Sequence, residues 1–423
     1  MSGCAGFAPR APRTRLACCV APRATVTGPS SLRLRPVPPP ALSVHTWPCA
    51  VEPDLLHALS HALYDGGPAV AILPRGPEHV LIAGAVQPAQ PLERDDVALV
   101  VPTSGSAGRP KGVLLPAAAL LASARLAHDR LGGTGQWLLA LPPTHIAGVQ
   151  VLVRSIVAGE APVVLELPAG FDPAAFAERS RALTGDRRYT ALVPTQLRRL
   201  LGGGGKVLSA LRTYNAILVG GSAVPAELVT RARGEGVRIV TSYGMTETAG
   251  GCIYDGVPLA GVGIEVMTDG IIELSGPTLA AGYRLDPAAT EAAFMGGRFR
   301  TSDRGRIDRD ARLVVLGRAD DAILTGGVVV DPVAVETVLS THPAIAAAAV
   351  VGRPDREWGE RVVAVVVPVA SGEVPALEDV RRWVADRLGA VQAPREVVVA
   401  TTLPTLPTGK LDRSRVRETV RRG

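Results

Sequence analysis

Thr103-Ser104-Gly105-Ser106-Ala107-Gly108-Arg109-Pro110-Lys111-Gly112-Val113 gathers hydroxyls, glycines and a lysine in one short stretch. Small residues let backbone N–H groups approach an anion closely, and lysine adds a compact, mobile charge. That is the chemistry of a triphosphate cradle, with Thr103, Ser104, Gly105, Ser106, Gly108 and Lys111 as its candidate residues. The lysine is informative because the chain has only Lys111, Lys206 and Lys410 among 45 Lys and Arg residues. The stretch is not G-x-x-x-x-G-K-[ST], since Pro110 precedes the lysine and Gly112 follows where a hydroxyl would hold Mg²⁺. An ordinary βα turn is the plainer alternative.

Four further places carry chemistry. In Ser242–Thr248 the Thr246 hydroxyl beside the Glu247 carboxylate could hold a phosphate together with its Mg²⁺; a helix start with a capping threonine is the alternative. Asp303, in Phe299–Asp303, could accept two hydrogen bonds from vicinal ribose hydroxyls, or be a solvated turn residue. Lys410 stands in a loop shaped by Pro404, Pro407 and Gly409, and could equally be an exposed tail lysine. His145 could line a pocket or be structural.

These residues need elements to position them. Val97–Val101, Trp137–Leu141, Val163–Leu167, Thr190–Val193, Ala216–Val219 and Arg238–Thr241 read as buried strands. Helical patterns lie between them, over 117–129, from the Asp172-Pro173 cap to Leu183, and over Pro225–Gly234. The alternation predicts an α/β fold with a doubly wound, mostly parallel sheet, whose ligands sit at the carboxyl ends of strands. Short strands with Gly, Pro and Asp turns follow from Gly256 to Arg318, as in a small β-rich subdomain. After residue 320 come a helix from Asp331-Pro332, strands at 346–351 and 361–367, a helix at Leu377–Leu388 and a strand at 396–400, an α+β module. The predicted organisation is a basic tail over 1–40, a large domain over 41–319 and a small domain over 320–423.

Composition narrows the partners. Of the 423 residues, 47% are hydrophobic and 20% charged, the balance of a globular protein. Six arginines and no acidic residue fall within residues 1–51, which matches the whole formal charge of +6. The remainder is balanced, so no basic face for nucleic acid is expected. The tail reads as a disordered extension, a start assigned too early, or a transit-like segment. No apolar run reaches the ~18 residues of a membrane span. Cys4, Cys18, Cys19, Cys49 and Cys252 show no metal-binding spacing. A reducing cytoplasm is the expected setting.

Taken in order, Thr103–Val113, His145–Gly148, Gly220-Gly221-Ser222, Tyr243–Thr248, Phe299–Asp303, Gly317–Gly327 and Pro407–Lys410 resemble the adenylate-forming superfamily of acyl-CoA synthetases, luciferases and adenylation domains. Within it, Leu141–Ser155, Tyr243–Gly256 and Val315–Gly327 look most like the o-succinylbenzoate–CoA ligases of menaquinone biosynthesis. The resemblance implies that family's fold and an ATP-dependent acid–CoA ligase, with Mg²⁺, coenzyme A and a small carboxylic acid. It implies a catalytic set of Lys410, Thr246, Glu247 and His145, with Glu247 and Thr103 toward the metal. Gly220, Gly221, Ser222, Tyr243 and Gly244 would border the adenine or the acid, and Asp303 and Arg318 would serve the ribose or phosphate. Arg154, His145 and Ser222 would face the acid, Arg154 taking a second carboxylate; a helix-surface arginine is the alternative reading. Asp320 would be the hinge of a mobile small domain that brings Gly326 and Gly327 toward the pantetheine arm.

Three positions depart from the family pattern. Ala107 stands where threonine is usual, Ser302 where glycine is usual, and Leu324 where lysine or isoleucine is frequent. The early start of the glycine-rich stretch also implies an abbreviated first lobe. Rival readings are a ligase for another aryl or acyl acid, a non-catalytic adenylate binder, and a P-loop NTPase. The oligomeric state is not set by the sequence, a homodimer being one option.

Overall fold

Leu42–Trp47 (β1), Pro53–Tyr64 (α1), Ala69–Pro74 (β2), Glu78–Val86 (α2), Val97–Thr103 (β3) and Lys111–Pro116 (β4) build the first layer of the computed structural model. The structure describes residues 42–47, 53–76, 78–103, 110–167, 170–369, 375–405 and 411–422. The basic tail over 1–40, residues 104–109 and Lys410 lie outside them. β1, β2 and β3 are parallel, and β4 returns antiparallel to β3 with Lys111 opposite Thr103. The glycine-rich stretch therefore joins two arms of a hairpin instead of leading from a strand into a helix. The reason lies in Val113, Leu114 and Leu115, which are buried and form a strand of their own before the next helix begins.

The second layer runs Ala117–Leu131 (α3), Gln136–Leu139 (β5), Ile146–Ala158 (α4), Val163–Val164 (β6), Pro173–Ser180 (α5), Arg188–Leu192 (β7), Pro194–Leu201 (α6), Gly205–Arg212 (α7), Ala216–Gly220 (β8), Ala226–Gly234 (α8), Ile239–Met245 (β9), Gly250–Tyr254 (β10) and Val257–Pro258 (β11). The sheet order is β11-β10-β9-β8-β7-β5-β6. From β9 to β6 the strands are parallel, while β10 and β11 form an antiparallel edge. Successive side chains in a strand face opposite ways. Trp137 and Leu139 accordingly pack with α3 and α4, and Leu138 packs on the other side with α5 to α8. That is the doubly wound arrangement. Asp172 caps α5, accepting from the N–H groups of Ala174 and Ala175 at 3.0 and 3.3 Å.

The chain continues through Gly263–Val266 (β12), Ile271–Ser275 (β13), Gly282–Tyr283 (β14), Pro287–Ala293 (α9), Phe294–Met295 (β15), Arg298–Ile307 (β16) and Leu313–Arg318 (β17). β12, β13, β16, β15 and β17 form a small antiparallel sheet, but β14 crosses back to pair with β4. Last come Ile323–Thr325 (β18), Val328–Val330 (β19), Pro332–Ser340 (α10), Ile345–Asp355 (β20), Gly359–Pro368 (β21), Leu377–Leu388 (α11), Glu396–Val399 (β22) and Arg413–Arg422 (α12). Their sheet, β19-β18-β21-β20 with β22 on β21, has its own apolar cores on its two faces. Among the described residues no helix is long and apolar enough to cross a membrane.

Candidate active site

The turn after β9 carries Thr246 and Glu247. Thr248 Oγ1 accepts from Met245 N–H at 3.0 Å and donates to Gly250 O at 2.7 Å, which folds β9 back onto β10. A Cβ on Gly244 would stand 2.1 Å from Gly250 O, so only glycine allows the strands this close. Thr246 is buried and Glu247 half-buried in this turn. The Tyr283 hydroxyl, on β14, donates to Glu247 Oε1 at 3.0 Å. Lys111 Nζ lies 4.7 Å from the centroid of the same tyrosine ring, a cation–π distance. Burial pushes the Glu247 carboxyl up, while the Tyr283 hydrogen bond and the charges of Arg318 and Lys111 hold it back.

Asp303 enters from the β-rich sheet, opposite Arg318 in the β16–β17 register. The Tyr243 hydroxyl donates to Asp303 Oδ2 at 2.8 Å. Burial and the Asp303 charge raise the Tyr243 phenol, so it remains a donor. Arg318 also donates to Asp320 Oδ2 at 2.9 Å. Strands of three different sheets thus bring Lys111, Tyr243, Tyr283 and Arg318 around the carboxylates of Glu247 and Asp303, with Thr103 opposite Lys111 in the hairpin register and Gly244 and Thr246 beside Glu247 in the chain. Two cations, hydroxyls and carboxylates at one place suit a polyphosphate and a ribose. Among the described residues no group of three or more His, Cys, Asp or Glu could hold a metal. A lone Glu247 suits Mg²⁺, which keeps its waters and binds through one carboxylate plus substrate phosphates.

A second region follows α4. His145 occupies its N-cap position, half-buried. A Cβ on Gly250 would contact Gln150 Cγ at 3.2 Å and Ile146 Cγ1 at 3.8 Å, so the start of α4 lies against the β9–β10 turn. Two turns on, Arg154 is 3% exposed, which overturns the helix-surface alternative. Its Nη2 reaches the Tyr254 hydroxyl at 3.5 Å and its Cζ lies 4.9 Å from the Trp137 ring centroid. Its Nε has no partner among the described residues.

The remaining predicted residues are spread more widely. Gly220 ends β8 opposite Ser242, with Gly221 and Ser222 exposed beyond it. Gly326 and Gly327 form the β18–β19 turn on the C-terminal sheet, which is not one of the three sheets that carry the residues around Glu247. Asp320 is exposed in the single helical turn Ala319–Asp321 between β17 and β18. Ser104, Gly105, Ser106, Gly108 and Lys410 fall outside the described residues. Sequence reasoning missed Tyr283, His128, Trp137 and Tyr254. No motif marks Tyr283, whose position follows from the β14–β4 pairing, and the other three meet Arg154 only through tertiary packing.

Residues 45–282 match the family model described as AMP-binding enzyme, and residues 334–410 match that of the AMP-binding enzyme C-terminal domain. A Mycobacterium tuberculosis protein named probable 2-succinylbenzoate–CoA ligase is 46% identical over 362 residues, covering 85% of this chain and 93% of its own. A feruloyl-CoA synthase from Amycolatopsis sp. is 31% identical over 404 residues, covering 85% of this chain and 80% of its own. Among solved structures, the Bacillus subtilis o-succinylbenzoate CoA synthetase in complex with the acyl-adenylate intermediate OSB-AMP aligns with a TM-score of 0.71 at 25% identity, covering 89% of this chain and 88% of that one.

Proposed function

The chain belongs to the AMP-binding enzyme family, and from that premise we propose that it is an AMP-forming acid–CoA ligase whose acid is o-succinylbenzoate. In the first half-reaction a substrate carboxylate oxygen attacks the α-phosphorus of ATP. The bond to the β-phosphate oxygen breaks, leaving acyl-AMP and pyrophosphate. In the second, the coenzyme A thiol attacks the acyl carbon, the thiol proton is lost and AMP departs.

Two anions must meet in the first step, so cations and donors must neutralise both. Lys111 and the glycine-rich stretch with Ser104, Gly105, Ser106 and Gly108 serve the β- and γ-phosphates. Thr246 and Arg318 serve the α-phosphate side, and Asp303, held by Tyr243, takes the ribose hydroxyls. Glu247, with Thr103 nearby, would hold Mg²⁺, which on the phosphates supplies charge neutralisation of the leaving pyrophosphate. Lys410 bridges the acid carboxylate and the α-phosphate. Gly220, Gly221 and Ser222 border the adenine and acid, with His145 at the reacting end and Arg154 at the far end. The large domain ends at residue 319 and the small domain pivots at Asp320, carrying Lys410 away and Gly326-Gly327 in for the thiol step. The setting is the cytoplasm.

One observation carries this reading. Lys111, Tyr243, Tyr283 and Arg318, from three separate sheets, stand beside Glu247 and Asp303, which supports a site for a nucleotide and its phosphates there. A ferulate-type aryl acid is the second reading, prompted by the Amycolatopsis relative. The buried Arg154, which has no ion pair with a carboxylate among the described residues, favours an acid with a second anionic group over a mono-acid. The test is a panel of aryl and acyl acids with ATP and coenzyme A, read by AMP release and product mass. The thioester of o-succinylbenzoate is the expected product, and preferential turnover of ferulate would replace it by the second reading.

A further inference from the structure

Behind the turn that carries Thr246 and Glu247, the backbone is held in a conformation that its residue type resists. Ala249 has φ 48° and ψ 38°, the left-handed helical region, and is wholly buried. There the Cβ of an L residue crowds the following carbonyl oxygen, so the region is left mostly to glycine. Gln87, Asp255, Leu285 and Ala311 share the positive φ, but none of them is buried. Such strain persists only where the surroundings over-determine it, and it gathers at functional sites. At Ala249 it has a visible use. The Ala249 N–H donates to Thr246 O at 3.0 Å, which closes the turn around Glu247.

Two side chains from outside the turn supply the hold. Ser123 Oγ on α3 and Gln150 Nε2 on α4 each donate to Ala249 O at 2.8 Å. Both residues are wholly buried. Together they fill the two lone pairs of that carbonyl. Gln150 Oε1, by contrast, has no partner among the described residues. An unmet buried acceptor is costly, and a methionine of similar length would avoid it. The one bond to Ala249 O is therefore what accounts for an amide at this position. Gly250, the next residue, has φ 98° and is already a glycine. The strain thus falls on the one residue whose carbonyl the two helices hold.

We propose that Ser123 and Gln150 are positioning residues for the first half-reaction. By clamping Ala249 O they hold the left-handed backbone and, through it, the Thr246 hydroxyl and the Glu247 carboxylate in their working places. The proposal rests on the reading that this pair serves the α-phosphate and Mg²⁺. A backbone that relaxed at Ala249 would carry its N–H off Thr246 O and reorient both side chains. Because Gln150 lies on α4, one hydrogen bond also ties the helix of the proposed acid site to the turn of the proposed metal site.

The experiment uses Ser123→Ala and Gln150→Met, each of which removes one donor and leaves the other in place. Each is made alone and together with Ala249→Gly, since glycine enters the left-handed region freely. Two assays are run on the full chain. One is pyrophosphate–ATP exchange with o-succinylbenzoate at varied Mg²⁺. The other is thioester formation from supplied acyl-AMP and coenzyme A, a step that involves no triphosphate. Each single variant is expected to lower kcat for exchange about tenfold, on the scale of one buried hydrogen bond. The half-saturating Mg²⁺ concentration should rise, and thioester formation should stay unchanged. Adding Ala249→Gly to Ser123→Ala should return most of the lost exchange rate. Equal loss in both half-reactions, an unchanged Mg²⁺ requirement, or no recovery with glycine overturns the positioning role and leaves the ligase reading standing. A wild-type protein that shows no exchange with any acid of the panel overturns both.

Discussion

Glu247 is a half-buried carboxylate whose ionisation is contested by its surroundings. Burial raises its pKa, and Tyr283, Arg318 and Lys111 lower it. The proposed metal binding needs the ionised form, so activity should be lost as pH falls through that pKa. Tyr283→Phe removes one of the groups holding it down, so the pKa rises further. The acid limb of the pH–rate profile for pyrophosphate release is expected to move to higher pH. Above that limb the rate with ATP should fall roughly ten- to a hundredfold, the worth of a hydrogen bond to a charged group. The phenylalanine ring still supports Lys111, and Tyr283 has no part in the proposed acid site, so the KM for the acid stays where it was. A profile that does not move removes Tyr283 from the account of Glu247.

At the scale of elements, α4 runs from the reacting end of the proposed acid site to its far end. Its first turn is pressed against the preceding loop: a Cβ on Gly148 would stand 2.2 Å from Pro142 O. Backbone cannot yield as a flexible side chain does. Gly148→Ala should therefore tilt the start of α4 and destabilise the protein by about 1–3 kcal/mol, as overpacking does. Denaturant unfolding measures the first effect. Steady-state kinetics measures the second, a KM rise for the acid that exceeds the rise for ATP.

Strands β5, β7, β8 and β9 were legible because a parallel sheet buried on both faces leaves continuous apolar runs. Leu377–Leu388 was legible as a helix to the residue. β4 was not, because a glycine-rich turn followed by apolar residues reads the same way whether a helix or a hairpin arm comes next. The candidate residues of the nucleotide side were visible as motifs, since each is a short local pattern at the end of a strand. The environment of Arg154 was invisible. Trp137, His128 and Tyr254 lie on three other elements, and nothing local in the sequence joins them. The first strands and helices, from β1 to α2, were likewise unread.

At the scale of the molecule, the last helix is tied to the segment proposed as the pivot. Arg413 on α12 donates to both carboxylate oxygens of Glu336 at 2.6 and 2.7 Å and lies 3.3 Å from Asp321. Arg417 donates to Asp321 at 2.7 Å. Asp321 therefore belongs mechanically with α12 and α10, while the neighbouring Asp320 pairs with Arg318 on β17. On the proposed pivot, the boundary between the moving and the fixed part would fall between these two aspartates. Thr405 and Leu411 bridge across the segment that contains Lys410, so its two ends are held on the same body as α12. Lys410→Ala is expected to abolish acyl-adenylate formation and to spare thioester formation from supplied acyl-AMP. Equal loss of both half-reactions would remove Lys410 from its assigned step.

The proposed reaction begins with activation of o-succinylbenzoate at the site built around Glu247 and Asp303. Pyrophosphate–ATP exchange dependent on that acid, without coenzyme A, isolates the step. Exchange is expected to require the acid and Mg²⁺ and to fall at least a hundredfold in Glu247→Gln, on the scale of lost electrostatic stabilisation. Exchange that proceeds equally well in Glu247→Gln, or that o-succinylbenzoate fails to support while another acid does, would contradict it.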